Sequence, residues 1–200
     1  MIKIKSYKPN EINDCREASQ ISATILDELA SYISEGITTG EVDNYCLERI
    51  KKLGGIPAPL FYRGFPKPTC TSLNRVICHG IPSNDRKLLE GDILNVDITT
   101  IINGWHGDSS RMYKIGKVSV KANNLCEVTH QCLIESIKEI KVGDSISRIG
   151  KKIDEIANKN YFSVVRDFCG HGVGKNFHES PSILHYYDPE YDNIKFIDGM

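Results

Sequence analysis

The stretch Ile93-Leu94-Asn95-Val96-Asp97-Ile98-Thr99-Thr100-Ile101-Ile102-Asn103-Gly104-Trp105-His106-Gly107-Asp108 decides how this chain folds. Residues 93 to 102 are rich in β-branched side chains and alternate, with Leu94, Val96 and Ile98 facing one way and Asn95, Asp97 and Thr99 the other. Asn103-Gly104 is a strong signal for a two-residue hairpin turn, because both residues accept positive φ. If those two form the turn, position 97 lies opposite position 110, and Asp108 becomes the diagonal neighbour of Asp97 on the same face. Diagonal pairs sit roughly 7–8 Å apart at Cα and less at Cβ. Two inward carboxylates across that gap suit a pair of cations about 3.5–4 Å apart, the spacing of two-metal hydrolysis. Taken alone, such a hairpin is also what one solvated sheet face looks like. Strand interiors disfavour Asp, which counts against the solvated reading of Asp97. His106 sits beside Asp108 and is expected on the opposite face, in a structural place.

Composition bounds the remaining choices. The chain has 200 residues, 40% of them apolar, enough for one domain with a real core. The net charge of −1 predicts no nucleic-acid footprint, and the pI near 6.6 and mean hydropathy of −0.30 agree. No stretch approaches the ~20 apolar residues of a membrane span. Met1-Ile2-Lys3-Ile4-Lys5-Ser6 lacks the apolar core of a signal peptide. Seven cysteines, without CxxC spacing, read as free thiols in a reducing cytoplasm. Cys15, Cys46, Cys126 and Cys132 are expected to behave as small buried hydrophobes.

Two weak copies of one unit follow each other. Glu11 to Ile33 reads as a helix with Ile21, Ile25, Leu29 and Ile33 on one stripe, capped by Asn10 or Ser6 and ended by Gly36. Thr38-Thr39-Gly40-Glu41 is a capping box opening a second helix, about Val42 to Leu53, with strand-like sequence after Gly54-Gly55. The order recurs as a helix from Leu125 to Ile140, a stop at Gly143, a helix from Ile146 to Asn158 capped by Asp144 or Ser145, and a strand Phe162-Ser163-Val164-Val165. Gly36, Val42 and Cys46 align with Gly143, Ile149 and Ile153 at one constant offset. Chance likeness between two helical hairpins would look similar at this level of identity. The expected architecture is one α+β domain, residues 1–200, with internal pseudo-symmetry.

The segment Phe61-Tyr62-Arg63-Gly64-Phe65-Pro66-Lys67-Pro68-Thr69-Cys70, running on through Asn74-Arg75-Val76-Ile77-Cys78-His79-Gly80-Ile81-Pro82, adds specificity. With Asn95-Val96-Asp97, His106-Gly107-Asp108 and Cys169-Gly170-His171-Gly172-Val173-Gly174, it closely resembles the type I methionine aminopeptidases of bacteria, of the M24 metallopeptidases. The resemblance covers essentially the whole chain. It implies the pita-bread fold of the creatinases and aminopeptidases, with an internal pseudo-two-fold. It also implies removal of the initiator methionine from nascent proteins whose second residue is small.

Carried over residue by residue, the resemblance makes Asp97, Asp108 and His171 metal ligands for two divalent ions, with Co, Mn, Fe or Zn all compatible with carboxylate and imidazole donors. A histidine between glycines is, by itself, also an ordinary turn residue. His79 and His178 look like the two substrate histidines, able to donate to a peptide oxygen or to the leaving nitrogen. Tyr62, Phe65, Cys70, His79 and Phe177 match the walls of the methionine side-chain pocket, although aromatics like these more often belong to a core. Asn74 and Val76 match a loop that holds a monovalent cation in relatives. His130 is expected to be solvated on its helix, and His185 has no role.

The departure comes at the end, Phe196-Ile197-Asp198-Gly199-Met200. In relatives a Gly-Met like this begins a strand carrying a glutamate ligand, with a second glutamate later and a pocket tryptophan. The chain is therefore expected to lack its C-terminal strands and, as written, to be inactive. The implied partner is the N-terminal methionine of nascent peptides, met in transient association with the ribosome by a cytoplasmic monomer, without membrane or specific nucleic acid. Two other readings remain. One is another pita-bread hydrolase, of the aminopeptidase P or prolidase kind. The other is a non-catalytic relative that binds protein or RNA.

Overall fold

The computed structural model describes residues 4–200; Met1 to Lys3, part of the stretch read as lacking a signal, lie outside the described residues. By contacts the described residues form two compact units, one of residues 10–122 and 173–177 and the other of residues 4–9, 123–172 and 178–200. Among the described residues, no helix is long and apolar enough to cross a membrane.

The first unit is built on helices α1 (Pro9–Tyr32) and α2 (Thr39–Lys52) and a four-stranded sheet of β1 (Ile56–Pro57), β2 (Cys70–Leu73), β3 (Ile93–Ile102) and β4 (Trp105–Lys114). β3 is the spine. It pairs antiparallel with β4 along its whole length, from Ile93 with Lys114 to Ile102 with Trp105. On its other edge β2 covers residues 94–97 and β1 covers 100–101. The turn is the two-residue Asn103-Gly104, with φ of 50° and 79°. The apolar face of the sheet (Leu73, Leu94, Val96, Ile98 and Tyr113) packs on Ile25, Leu26 and Leu29 of α1 and on Val42, Cys46 and Ile50 of α2. Ile21 and Ile33 complete the expected stripe at its half-buried ends.

The capping box is formed as expected: Thr38 Oγ1 accepts from Glu41 N at 3.1 Å, and Glu41 Oε2 accepts from Thr38 N at 2.7 Å. α1 starts earlier than expected, at Pro9, because the fixed φ of proline suits a first helical position. Asn10 therefore lies inside the helix and is not its cap.

The second unit carries most of α3 (Val120–Ile137), then α4 (Ser147–Lys159), β5 (Gly170–Gly172) and β6 (Glu179–Ile183). α3 begins five residues before the expected Leu125, since Ser119 Oγ accepts from Ala122 N at 3.1 Å and caps it early. It also ends at Ile137, ahead of the expected Ile140. α4 starts at Ser147, one residue past the expected Ile146, which takes the N-cap position and makes no side-chain cap bond; of the two expected caps, Ser145 accepts from Ser147 N at 3.2 Å across a local turn. Ile146, Ile149 and Phe196 form a small core, with Ile153, Ile183, Tyr191 and Ile194 against it. Phe162 to Val165, expected as a strand, form none. Their side chains alternate half-buried and exposed, but no ladder partner exists among the described residues, and β-propensity acts only where a neighbouring strand can be packed.

The internal repeat extends beyond helix order. Gly36 and Gly143 both adopt left-handed backbone, φ 91° and 90°, ahead of α2 and α4. Gly36 N donates to Leu88 O at 2.8 Å, and Gly143 N donates to Phe196 O at 2.9 Å. Leu88 N donates to Ile37 O, and Phe196 N donates to Asp144 O. Isolated bridges join Thr38 to Lys87 and Ser145 to Lys195. The same glycine turn and returning segment are thus made twice from different side chains, whereas the capping box belongs to α2 alone and the N-cap position of α4, Ile146, makes no side-chain cap bond.

Candidate metal and substrate site

The candidate carboxylates stand on the β3–β4 hairpin. Asp97 pairs with Ser110 and Thr99 with Asp108, so Asp97, Thr99, Asp108 and Ser110 share one face. Thr99 Oγ1 donates to Asp108 Oδ1 at 2.9 Å and fixes that carboxylate. Between the histidine and the aspartate of His106-Gly107-Asp108, Gly107 faces the other way, towards α1. A Cβ there would come within 2.1 Å of Ser19 N and 2.2 Å of Ala18 C. Ser22 Oγ on α1 donates to Gly107 O at 2.8 Å. The helix backbone rests on the strand at the one residue without a side chain, and this contact backs the Asp108 position.

His106 was expected on the opposite face, and the register corrects this. It pairs with Ile101, and a spacing of two keeps it on the same face as Asp108. Its backbone N–H and its ring Nδ1 both reach Gly174 O, at 2.8 Å and 3.0 Å. Its ring lies 5.8 Å from Phe177, which in turn stands 4.9 Å from Tyr62. Tyr62, His106 and Phe177 thus form one aromatic wall within the first unit. Phe65 closes the short 3-10 turn Tyr62–Gly64, its N–H donating to Tyr62 O.

Cys70 is the strand partner of Asp97. Burial first, then Asp97 and Asp108, push its thiol up to about 12, so in the metal-free chain it is a neutral wall of the face. Cys78 is pushed up by burial and then by Asp97. The segment carrying Cys78 and His79 folds back along β2, where Thr71 N donates to Gly80 O at 2.8 Å and Gly80 N donates to Ser72 Oγ at 3.2 Å. A Cβ on Gly80 would lie 2.2 Å from Thr71 O, and His79 takes φ of 55°, so this return is tight. Behind Cys70, Asp43 of α2 accepts from both Thr69 N (3.0 Å) and Thr69 Oγ1 (2.8 Å) on one oxygen. Asn74 caps the other end of β2, donating to Asp92 Oδ1 and accepting from Ile93 N. Val76 is exposed.

The candidate histidines of the second unit stand on a short ribbon. β5 pairs with β6 through Gly170 with Ile183, His171 with Ser182 and Gly172 with Glu179, with an irregularity between His171 and Gly172. The rings of His171 and His178 have centroids 4.2 Å apart. His171 Nδ1 lies 2.9 Å from Gly172 O. A carbonyl only accepts, so Nδ1 is the donor in this contact, and in the neutral ring that leaves Nε2 with the lone pair a metal ligand needs.

Among the described residues, no three or more His, Cys, Asp or Glu are grouped so as to hold an ion. The donors present still fit a hydrolytic metal chemically. Two carboxylates on one hairpin face, one of them held by a hydroxyl, are hard oxygen donors of the kind such a metal takes.

The chain belongs to metallopeptidase family M24, whose description matches residues 13–200. Within that family it is similar to the methionine aminopeptidase of Escherichia coli K12, 39% identical over 200 residues, which span all of this chain and 75% of that protein. The crystal structure of methionine aminopeptidase from Rickettsia prowazekii superposes with a TM-score of 0.94 at 40% identity, covering 99% of this chain and 79% of that one. The prolidase of Pyrococcus furiosus matches with a TM-score of 0.79 at 22% identity, over 98% of this chain and 55% of its own, a likeness of fold alone. The fold class is accordingly the α+β pita-bread fold. Family membership also makes the protein a divalent-metal-dependent peptidase.

Missed by sequence reasoning were the face of His106, Thr99 as the partner of Asp108, and Asp43 behind Thr69. The first was readable from the spacing of two between His106 and Asp108. The other two are contacts between segments, and nothing local marks them.

Proposed function

We propose that the protein removes the N-terminal methionine from peptides and nascent proteins whose second residue is small. The observation that carries the reading is the shared face of Asp97 and Asp108 on the β3–β4 hairpin of an M24 chain. Asp97, Asp108 and His171 would hold two divalent ions of the Co, Mn, Fe or Zn series. Bound there, the ions supply the Lewis acidity that amide hydrolysis needs. The protein's own groups then bind and orient. Thr99 keeps Asp108 in one rotamer through its hydroxyl. His79 and His178 donate N–H groups to the substrate's peptide oxygen and leaving nitrogen. Tyr62, Phe65, Cys70, His79 and Phe177 wall the methionine side chain, and a neutral Cys70 thiol is a suitable neighbour for a thioether. Asn74 and Val76 are proposed to hold a monovalent cation through backbone oxygens.

The reading extends to a single catalytic domain acting as a cytoplasmic monomer, transiently beside the ribosome, where initiator methionines emerge. The low net charge of −1 supports the absence of a nucleic-acid partner. No observation favours the prolidase-like or the non-catalytic reading.

The test is methionine release by the full-length protein with added Mn or Co. Met-Ala and Met-Gly peptides should be cut, Met-Lys and N-acetylated peptides should not, and a chelator should abolish release. Equal cleavage of X-Pro peptides would overturn the assignment.

A further inference from the structure

Beside the candidate histidines, Glu179 is a charged group with a nearly buried side chain and two close partners. Its side chain is 5% exposed, whereas that of its partner Lys5 is 44% exposed. Lys5 Nζ donates to Glu179 Oε1 at 2.6 Å, and Tyr7 OH donates to Glu179 Oε2 at 2.6 Å. Both oxygens of one buried carboxylate are therefore engaged by donors from the start of the chain. The N-terminal strap that brings them is itself pinned: Tyr7 N donates to Gly199 O at 2.7 Å, and Ser6 Oγ donates to Asp198 O at 2.8 Å. Gly199 admits this approach, since a Cβ there would stand 2.4 Å from Tyr7 O.

What the carboxylate anchors is the ribbon. Glu179 follows His178 directly, and its backbone partner is Gly172, next to His171. No residue of β5 is buried, so apolar packing does little to hold this strand. The ladder also shifts between His171 and Gly172, where regular pairing would otherwise fix the ring of His171. A buried carboxylate with two charge-assisted hydrogen bonds is a strong, directional fixture, and it is costly to leave unpaired.

We infer that Lys5 and Tyr7 are positioning residues for His171 and His178, acting through Glu179. The inference rests on the reading of those two histidines as site residues. The N-terminal strap is, on this account, part of the apparatus that sets the geometry of the site, although neither Lys5 nor Tyr7 touches the substrate.

The test compares Glu179→Gln, the double variant Lys5→Ala/Tyr7→Phe, and Lys5→Arg in the full-length protein, with Lys138→Ala as a surface control. In the metal-free state, amide exchange at His171 and Gly172 should quicken roughly tenfold in Glu179→Gln and in the double variant, the scale of one lost charged hydrogen bond. Exchange in α4 should stay unchanged. With Mn and a Met-Ala peptide, kcat should fall roughly tenfold while KM stays within about twofold. Lys5→Arg, which keeps a donor, should restore both readouts. The inference is overturned if β5 exchange and kcat match the parent protein. It is equally overturned if α4 loosens by the same factor and Lys5→Arg does not rescue, since that would be general destabilisation. His178→Ala and His171→Ala run alongside: if they too leave kcat unchanged, the site reading has failed rather than the strap.

Discussion

The β3–β4 hairpin and the β5–β6 ribbon both carry candidate ligands, yet they are held in opposite ways. β3 is ten residues long, paired with β4 at every position, and backed by Leu94, Val96 and Ile98 in the α1–α2 core. β5 is three residues long, carries no buried residue, and its pairing shifts at His171. The hairpin rests on apolar burial, worth about 1.5–3 kcal/mol for each large side chain. The ribbon has Ile183 against the small core, and its β6 strand carries the Glu179 carboxylate with two donors, where each bond to a charged group is worth about 1.5–3 kcal/mol. The turn and returning segment are nonetheless shared by both units, from the Gly36 and Gly143 turns to the Leu88 and Phe196 contacts. A repeated backbone plan therefore does not dictate how each copy is stabilised. One copy carries its candidate carboxylates on a strand paired at every position, and the other its candidate histidine on a strand whose pairing shifts.

The sharpest break of the comparison is chemical. Asp97→Asn and Asp108→Asn keep the size of the side chain and the hairpin behind it. They should lower kcat/KM by on the order of 10²–10³ or more, the scale of removing one transition-state charge stabiliser. Thermal unfolding of the metal-free proteins should change by less than about 2 °C. If either variant unfolds like a core mutant instead, its carboxylate belongs to the fold rather than to the site.

Next in size is a pair of glycine substitutions. Gly107→Ala drives a Cβ to 2.1 Å from Ser19 N, and backbone cannot swing aside as a side chain can. Overpacking of this kind costs about 1–3 kcal/mol or more, which for a chain of this size lowers Tm by roughly 3–10 °C. Gly170→Ala in the ribbon meets nothing nearer than 3.4 Å, at His185 Nε2 and Ile183 Cβ, and should leave Tm within about 2 °C. Differential scanning calorimetry checks both. Equal losses would mean that the ribbon is packed as tightly as the hairpin.

This contrast also marks what could be read before the structure. The hairpin was legible because its determinants are local: strict alternation, an Asn-Gly turn, and the Thr38 to Glu41 capping box three residues apart. The carboxylate face followed from register alone. His106 was misjudged by the same rule misapplied, since alternation returns every second residue to one face. Phe162 to Val165 carried the propensity of a strand, but a strand needs a partner, which is not a local property. The start of α3 lies at Val120, ahead of the expected Leu125, and the Ser119 hydroxyl that caps Ala122 N decides it. Least legible were the polar clasps, Lys5 and Tyr7 on Glu179 and Asp43 on Thr69. Each joins segments far apart in the chain, and nothing in either segment announces the other.

The smallest effect concerns that last clasp and tests whether the hairpin half depends on a buried charge at all. Asp43 is 2% exposed, and both of its bonds to Thr69 end on Oδ1. Asp43→Asn can present the same oxygen, so its cost should be about 1 kcal/mol or less. Asp43→Ala leaves the buried Thr69 N–H and hydroxyl unpaired and should cost about 1–3 kcal/mol. Burial is the largest influence on the carboxyl and raises its pKa above the ordinary value, with the Thr69 bonds acting against it. The folded state therefore holds this proton more tightly than the unfolded chain. Asp43 then makes stability fall as pH rises from the ordinary carboxylate value through the raised one, and has no further effect above it. Glu28, held low chiefly by its hydrogen bond from Arg49, gives the opposite slope, with stability lost as pH falls through its lowered value. Subtracting the urea stability of Asp43→Asn from that of the parent protein, pH by pH across the carboxylate range, removes Glu28 and isolates Asp43. The difference should decline with rising pH and then level off. A difference that rises instead would mean that the Thr69 bonds outweigh burial, and that the hairpin half, like the ribbon, is anchored by a charge.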